Sequence, residues 1–170
     1  MKITSAEAVK MLRKLNDEIT DLEYVECRSR EFVAAVGEDL ESVRPAYDYE
    51  ATKAKLQILK AKVRKLKHAI NMFNVNTVVP GFDMTVDQML VYIPQLSSEK
   101  LKLGNMAGCL PKERESSGSR GGNTLIEYKY VNYDLDKVKA DYELVVDELA
   151  KAQTALDVVN NSVTFEVEID

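Results

Sequence analysis

The sequence has no tryptophan, a single histidine (His68) and two cysteines in 170 residues. A catalytic triad or a zinc site with histidine ligands needs more convergent side chains than one imidazole offers. Cys27 and Cys109 are far apart and form no C-x-x-C pair, so we predict two reduced, mostly buried thiols instead of a disulfide framework. The sequence therefore indicates no metal site.

Long hydrophobic runs are also missing. No apolar stretch approaches the ~20 residues that a membrane-spanning helix needs, and the N-terminus has no signal-peptide pattern. We therefore expect a cytoplasmic protein with no membrane span. Phosphate-binding P-loop and nucleophile-elbow sequences are absent too, and no carboxylate pair is singled out as acid and base. We expect a protein that is not an enzyme and has no cofactor.

The sequence does contain an unbroken heptad pattern between residues 135 and 159. Its core positions are separated alternately by three and four residues, as on one face of a long helix. They are Leu135, Val138, Tyr142, Val145, Leu149, Ala152, Leu156 and Val159. An apolar face of this length needs partner helices.

Three further segments have helical apolar spacing. Two begin with S/T-x-x-E/Q capping boxes, at Thr4 and at Thr85, in which side chains satisfy the first backbone donors of the helix. Pro94 lies inside the third segment and predicts a kink there. Together with the heptad segment, the predicted helices span residues 4–36, 48–72, 85–110 and 134–160.

Between these helices the sequence predicts extended segments and one long loop. Strands are predicted at 74–79, 125–132 and 163–169, and the loop at 111–124, which is rich in glycine and serine. The first two helices are joined by a short connection and should form an antiparallel hairpin. The fold class expected for residues 1–170 is mainly α: one domain of long antiparallel helical hairpins, a coiled-coil-like bundle, with a small antiparallel β element at one end.

Charge is segregated along the chain, although its net value is only −5. Residues 51–70 contain seven bases and no acid, whereas residues 134–170 contain ten acids and three lysines. On the heptads these charges flank the apolar positions, where coiled coils place ion pairs that select partners. We expect the pattern to support a homo-oligomer. Binding of nucleic acid through the basic helix 53–67 is an alternative, which the acidic pI of about 5.1 disfavours.

The loop after residue 110 and the aromatic strand that follows it suggest a ligand site. Glycine-rich backbone exposes N–H groups, arginine matches phosphate or carboxylate oxygens, and tyrosine offers a stacking face. Polar residues near the end of the second helix could add contacts. The predicted ligand-binding residues are Arg114, Arg120, Gly121, Gly122, Asn123, Thr124, Tyr128, Lys129, Tyr130, Asn74, Asn76 and Thr77.

Four short motifs resemble a family of small bacterial and phage proteins of unknown function, some of which are labelled septicolysin. The motifs are MKITSAEA at residues 1–8, INMFN at 70–74, TVD at 85–87 and EYKYVNYDL at 127–135. The family usually has a tryptophan after the asparagine that ends its last helix, whereas here Asn160 is followed by Asn161 and Ser162. The resemblance implies the helical fold and brings no established activity.

Three functions are compatible with these observations. The first is a non-catalytic, homo-oligomeric binding protein that captures a small anionic, nucleotide-like ligand, as phage proteins that sequester immune nucleotides do. The second is a structural or protein–protein coiled-coil module. The third is a nucleic-acid-binding protein that uses helix 53–67.

Overall fold

A computed structural model describes residues 1–115 and 126–169. The described residues form five helices and six short strands. The helices are α1 (Ser5–Ser29), α2 (Leu40–Val43), α3 (Tyr49–Asn76), α4 (Val86–Ala107) and α5 (Leu135–Ser162). The strands are β1 (Lys2–Thr4), β2 (Val78–Val79), β3 (Met84–Thr85), β4 (Lys112–Arg114), β5 (Tyr128–Tyr130) and β6 (Thr164–Glu166). The protein is mainly α with small antiparallel strand pairs, which confirms the predicted fold class.

The chain divides into two compact units, whereas the sequence led us to expect one domain. The first unit contains Met1–Thr77 and Val158–Asp170, and the second contains Val78–Asp157. Each unit has its own buried apolar residues, for example Leu66 in the first and Met89 in the second, both fully buried. The units are described separately below.

Helix α1 begins at the predicted capping box but ends earlier than predicted. The Thr4 hydroxyl accepts from the Glu7 backbone N–H, and the Glu7 carboxylate accepts from the Thr4 backbone N–H. The predicted end at residue 36 is wrong, because the helix stops at Ser29. Val33 and Val36 are 93% and 108% exposed, so no buried contact holds a further turn in helical form.

Helices α1 and α3 form the predicted antiparallel hairpin of the first unit. Asp48 caps α3 by accepting from the Ala51 backbone N–H at 3.0 Å. Lys60 Nζ lies 2.7 Å from Glu23 Oε1 across the hairpin. Both side chains are about half exposed, so this ion pair fixes the alignment of the helices more than it stabilises them.

The hairpin core lies where the two chain ends meet. Ile3, Ala8, Leu66 and Val167 form one buried cluster. Strand β1 pairs antiparallel with β6, and Ile3 lies opposite Phe165. The N-terminal ammonium group also donates to the Val167 carbonyl at 2.8 Å. This pairing covers the apolar face of the hairpin at its open end.

The predicted strand 74–79 is mostly wrong, since α3 continues to Asn76 and only Val78 and Val79 are extended. The reason is a tertiary contact. Phe73 is buried, and its ring stacks on the Phe165 ring with centroids 4.8 Å apart. A buried ring at this position keeps the last turn of α3 helical in spite of its β-branched residues and asparagines.

The three predicted strands do not form one sheet. The structure pairs each with a different segment, giving three separate two-stranded ladders in the described residues: β1 with β6, β2 with β3, and β4 with β5. Of the predicted strands 125–132 and 163–169, the described residues that are extended and paired are Tyr128–Tyr130 and Thr164–Glu166, and residue 125 lies outside the described residues. Part of the predicted loop 111–124 is itself a strand, β4. Strand pairing depends on partners distant in sequence, which periodicity does not identify.

In the second unit, a tight β2–β3 turn leads into α4. Gly81 and Asp83 have positive φ angles of 87° and 49° in this turn. The predicted capping box follows: the Thr85 hydroxyl accepts from the Gln88 backbone N–H. Helix α4 runs unbroken through Pro94 to Ala107, three residues short of the predicted end at 110.

Helices α4 and α5 are antiparallel neighbours within the second unit. The Tyr92 hydroxyl donates to Glu148 Oε1 at 3.3 Å, and the Tyr133 hydroxyl, just before α5, donates to the Met106 carbonyl at 2.8 Å. Most of the predicted heptad face of α5 is buried, and the rest is half-buried. Helix α5 spans Leu135–Ser162, close to the predicted 134–160.

The prediction of buried cysteines is wrong. Cys27 and Cys109 are both free and exposed. Cys27 lies in the last turns of α1 away from the hairpin core, and Cys109 follows the end of α4, where its thiol donates to the Asn105 carbonyl at 3.3 Å.

In residues 1–115 and 126–169, no helix combines the length and apolar character that a membrane crossing requires.

In the first unit, a partly buried hydrogen bond shifts the titration of Tyr47 to higher pH. The Tyr47 hydroxyl donates to Glu26 Oε1 at 2.6 Å, and this bond, followed by desolvation, raises the pKa of Tyr47 from 10 to about 12. The folded chain holds the proton of the Tyr47 hydroxyl more tightly than the unfolded chain does. The bond therefore stabilises the fold below pH 10, and that contribution is lost as the pH rises toward 12.

The alkaline titrations of wild type and Tyr47→Phe should differ by one phenol. We expect the difference between the two curves to show a tyrosine that ionises at about pH 12. Glu26→Gln should lower the pKa of Tyr47, because the amide oxygen accepts a weaker hydrogen bond from the hydroxyl than the carboxylate does and no longer repels the phenolate. Phenolate absorbance measures both effects. An unchanged alkaline profile in Glu26→Gln would contradict this role for the carboxylate.

Candidate functional site

The β4–β5 ladder carries the predicted ligand-binding residues that the structure brings together. Lys112 lies opposite Tyr130, Glu113 opposite Lys129, and Arg114 opposite Tyr128. The Glu115 backbone N–H extends the pairing by donating to the Glu127 carbonyl at 2.9 Å. The ladder lies between the end of α4 and the start of α5 along the chain.

The register sorts the side chains of this ladder by chemistry. Directly opposed residues share a face, and successive residues of a strand point to opposite faces. One face therefore carries Lys112, Arg114, Tyr128 and Tyr130, which we call the cation–aromatic face. The other face receives Glu113, Glu115, Glu127 and Lys129. Two cations thus lie beside two aromatic rings on a face that none of these acids shares.

Lys112 lies over both tyrosine rings. Its Nζ atom is 4.1 Å from the Tyr128 ring centroid and 5.4 Å from the Tyr130 ring centroid. The two rings are tilted, with centroids 6.5 Å apart. Both distances are within the ~6 Å range of a cation–π contact. The rings therefore position an ammonium group on an exposed surface.

Lys129, a predicted ligand residue, does not share a face with the two tyrosines. Lys129 lies between Tyr128 and Tyr130 in sequence, but the alternation of the strand places it on the opposite face. Lys112, which the sequence analysis did not select, is the cation that contacts the rings. Lys112 and Arg114 are two residues apart in sequence, which is the spacing of residues on one face of a strand. Only the β4–β5 register shows that this face is also the face of the tyrosines.

A small cavity lies beside the ladder. It has a volume of about 220 Å³, and Cys109, Glu113, Lys129 and Tyr133 are among its lining residues. The neighbouring Cys109 thiol, and then burial, raise the pKa of the Tyr133 hydroxyl, which stays protonated and donates to the Met106 carbonyl. The cavity is smaller than the roughly 300–1,000 Å³ typical of small-molecule sites, so a nucleotide would not fit inside it.

The other group of predicted ligand residues lies in the first unit. The Asn76 side-chain amide donates to the Met72 carbonyl at 2.8 Å, and the Thr77 backbone N–H donates to the Phe73 carbonyl. Both residues therefore terminate α3, as helix-end polar residues commonly do. Asn74 is half-buried in the last turns of the same helix.

Asn76 and Thr77 also line a cavity of about 470 Å³ with His68, Phe165 and Glu166. Its charged lining residue is an acid and His68 is exposed, so it suits an anion less well than the cation–aromatic face does. This group belongs to a different unit from Arg114 and the tyrosines. Each group is therefore a separate candidate.

Five predicted site residues, Arg120, Gly121, Gly122, Asn123 and Thr124, lie outside the described residues. Within the described part of the chain, no three histidine, cysteine, aspartate or glutamate side chains are gathered as a metal ion would require. The chemistry available at the cation–aromatic face is therefore ion pairing, hydrogen bonding and stacking by its four side chains.

The basic segment 53–67 lies on α3. Lys60 is engaged by Glu23 of α1, and Lys53 Nζ lies 5.3 Å from the Tyr49 ring centroid. Both contacts are within the first unit. The Glu23 carboxylate offsets the charge of Lys60, and the Tyr49 ring holds the Lys53 ammonium group, which keeps its charge. They favour an intramolecular role for these two lysines.

Comparison with known proteins gives one structural likeness. No protein-family model and no curated protein matches the chain. The chain is similar in structure to a functionally unknown conserved protein from Corynebacterium diphtheriae, with a TM-score of 0.64 and 16% sequence identity over 98% of this chain and 100% of that one. At this identity the likeness shows a shared fold alone. The resemblance to the septicolysin-labelled family stays a prediction.

Proposed function

We propose that this protein is a non-catalytic binding protein that captures a small anionic, nucleotide-like ligand on the cation–aromatic face. The observation that carries the proposal is the β4–β5 register, which puts Lys112 and Arg114 on the same face as Tyr128 and Tyr130. The two cations would bind a phosphate, and a planar base would stack on an exposed ring.

The charge distribution around the ladder supports an anionic ligand. The chain is acidic overall, with a net charge of −5, so a surface with two cations and no acid is a local exception. Alternation turns Glu113, Glu115 and Glu127 away from it. A phosphate approaching this face therefore meets attraction without an adjacent carboxylate to repel it.

Lys112 can hold an anion and the rings together. Its ammonium group has three N–H donors, and the rings occupy one side of it. The remaining donors can reach a phosphate oxygen, while Arg114, exposed on the next position of the same face, can bind a second oxygen through its guanidinium fork. Capture thus needs no large movement of the ladder.

The residue types of the cation–aromatic face suit the capture of an anion. Its four side chains are a lysine, an arginine and two phenols, which bind by ion pairing, hydrogen bonding and stacking. A protein that binds without turnover removes ligand in proportion to its own abundance, as sequestration of a nucleotide signal requires.

Isothermal titration of the full chain against mono-, di- and cyclic nucleotides, with inorganic phosphate as a base-free probe, tests the proposal. Arg114→Ala should weaken binding of the preferred nucleotide about 10- to 100-fold, as expected for a lost charge-assisted contact. Tyr128→Ala should have an effect of similar size through lost stacking. Chromatography after long incubation should return the ligand unchanged.

Lys129→Ala is the matched control, because it removes a lysine from the same strand pair but from the opposite face. It should leave the affinity nearly unchanged. No binding by any nucleotide, or equal losses in Lys129→Ala and Arg114→Ala, would refute the proposed face. Conversion of the ligand would show catalysis instead of capture.

A further inference from the structure

The α1–α3 hairpin has an apolar groove on its surface. The groove has a volume of about 450 Å³ and lies between the two helices of the first unit. Its floor is formed by Leu22 of α1 and by Ile58 and Leu59 of α3. Ile58 is 57% exposed, which leaves a large β-branched side chain of the groove facing solvent.

The two rims of this groove have opposite charge. Glu18 and Asp21 line it on α1, and Lys55 lines it on α3. All three side chains are exposed, and none has an ion pair among the described residues. An apolar floor between charged rims is the usual anatomy of a protein–protein interface.

The charge difference continues beside the groove. At 100° per residue, Asp17 lies on the same side of α1 as Asp21, and Lys62 lies on the same side of α3 as Lys55. On this side the hairpin is therefore acidic at Asp17, Glu18 and Asp21 of α1 and basic at Lys55 and Lys62 of α3. Such a surface is complementary to itself, provided that a second copy meets it with the two helices exchanged.

A twofold axis parallel to the helices places the acidic helix of one copy on the basic helix of the other. When two hairpins face each other across such an axis, α1 of each copy lies on α3 of the other. Asp21 then faces Lys55 of the second copy, and the reciprocal pair forms at the same time, as in any isologous interface. An axis perpendicular to the helices and in the plane of the hairpin would instead place acid against acid, which is unfavourable.

We infer that the groove of the first unit is the interface of a homodimer, with the Ile58 side chains of both copies buried at its centre and the acidic rim of each copy paired with the basic rim of the other. This inference is independent of ligand capture, which concerns the second unit. The apolar floor supplies the affinity, and the rims select the twofold orientation.

Sedimentation equilibrium over a wide range of protein concentration tests the inference. Wild type should be a dimer, and Ile58→Asp should be a monomer. Asp21→Lys and Lys55→Glu should each weaken self-association about 10-fold or more, because each reversal sets like charges against each other twice per dimer.

Mixing the two charge-reversed chains makes the decisive experiment. In a mixed dimer, the two substituted side chains face each other across one half of the interface, and the unsubstituted Lys55 and Asp21 face each other across the other half. Both reciprocal pairs are then again of opposite sign. The mixture of Asp21→Lys and Lys55→Glu chains should therefore dimerise at concentrations at which neither chain does so alone. An effect of either substitution on the fold of its own chain would not be rescued by mixing.

Val9→Asp is the matched control, since Val9 is a half-exposed apolar residue of α1 and lies on the side of that helix opposite Glu18 at 100° per residue. It should remain a dimer, and circular dichroism should show that all variants keep their helices. A monomeric wild type, an Ile58→Asp dimer, or a mixture that stays monomeric would each overturn the inference.

Discussion

Leu66→Ala is expected to lower the free energy of unfolding by about 2–5 kcal/mol, the range found when a buried leucine is truncated. Leu66 is 0% exposed at the point where α3 meets both chain ends. Its neighbours in the buried cluster are Ile3, Ala8 and Val167. Backbone pairing with Phe165 holds Ile3, and two hydrogen bonds to Met1 hold Val167, so these neighbours cannot fill the space that the leucine leaves and a cavity should remain.

Leu144→Ala provides the comparison, because Leu144 is also helical but is 67% exposed. It should change the free energy of unfolding by less than about 0.5 kcal/mol. Urea denaturation followed by circular dichroism measures both values. Equal losses in the two variants would show that the cluster around Leu66 is not the core of the first unit.

The helices of this protein could be predicted because their signals are local. Capping boxes at Thr4 and Thr85 fixed two helix starts correctly, since each box satisfies backbone donors within four residues. The heptad spacing predicted the buried face of α5, because any straight helix places those positions together. The hairpin was predicted from a short connection between helices 4–36 and 48–72. The connection in the structure is longer and contains α2, because α1 ends at Ser29, and the two helices still pair.

The strand partners could not be predicted in the same way. Strand β1 pairs with β6 at the other end of the chain, with Lys2 opposite Glu166. Three residues are too few to show a period of two, and nothing near Lys2 in sequence indicates the partner. The sequence therefore predicts only a helix start at the N-terminal residues, and the structure shows that they also complete a ladder.

Only part of the candidate site could be predicted from the sequence, for the same reason. The composition around Arg114, Tyr128 and Tyr130 suggested cations beside rings. Which lysine accompanies the rings depends on the register of two strands separated by the segment 116–125. In that register Lys112 shares a face with the rings and Lys129 lies on the opposite face, although Lys129 is the closer of the two in sequence.

Phe73→Ala is the second substitution with a large expected effect, about 3–5 kcal/mol of unfolding free energy. The Phe73 ring is buried and stacks on Phe165, which belongs to the strand that pairs with β1. This ring contact is our explanation for the helical state of the last turn of α3. Amide exchange at Val75 and Asn76 should therefore accelerate in the variant, as measured by NMR.

A double-mutant cycle with Phe165→Ala should give a coupling energy of about 0.5–1.5 kcal/mol for the ring pair. Phe32→Ala is the matched control, because Phe32 is 38% exposed and the Arg44 guanidinium lies over its ring, with Cζ 5.4 Å from the ring centroid. It should cost no more than about 1 kcal/mol. Additive losses at Phe73 and Phe165, with unchanged exchange at Val75, would mean that the helix end is held by its own sequence and not by the stacked rings.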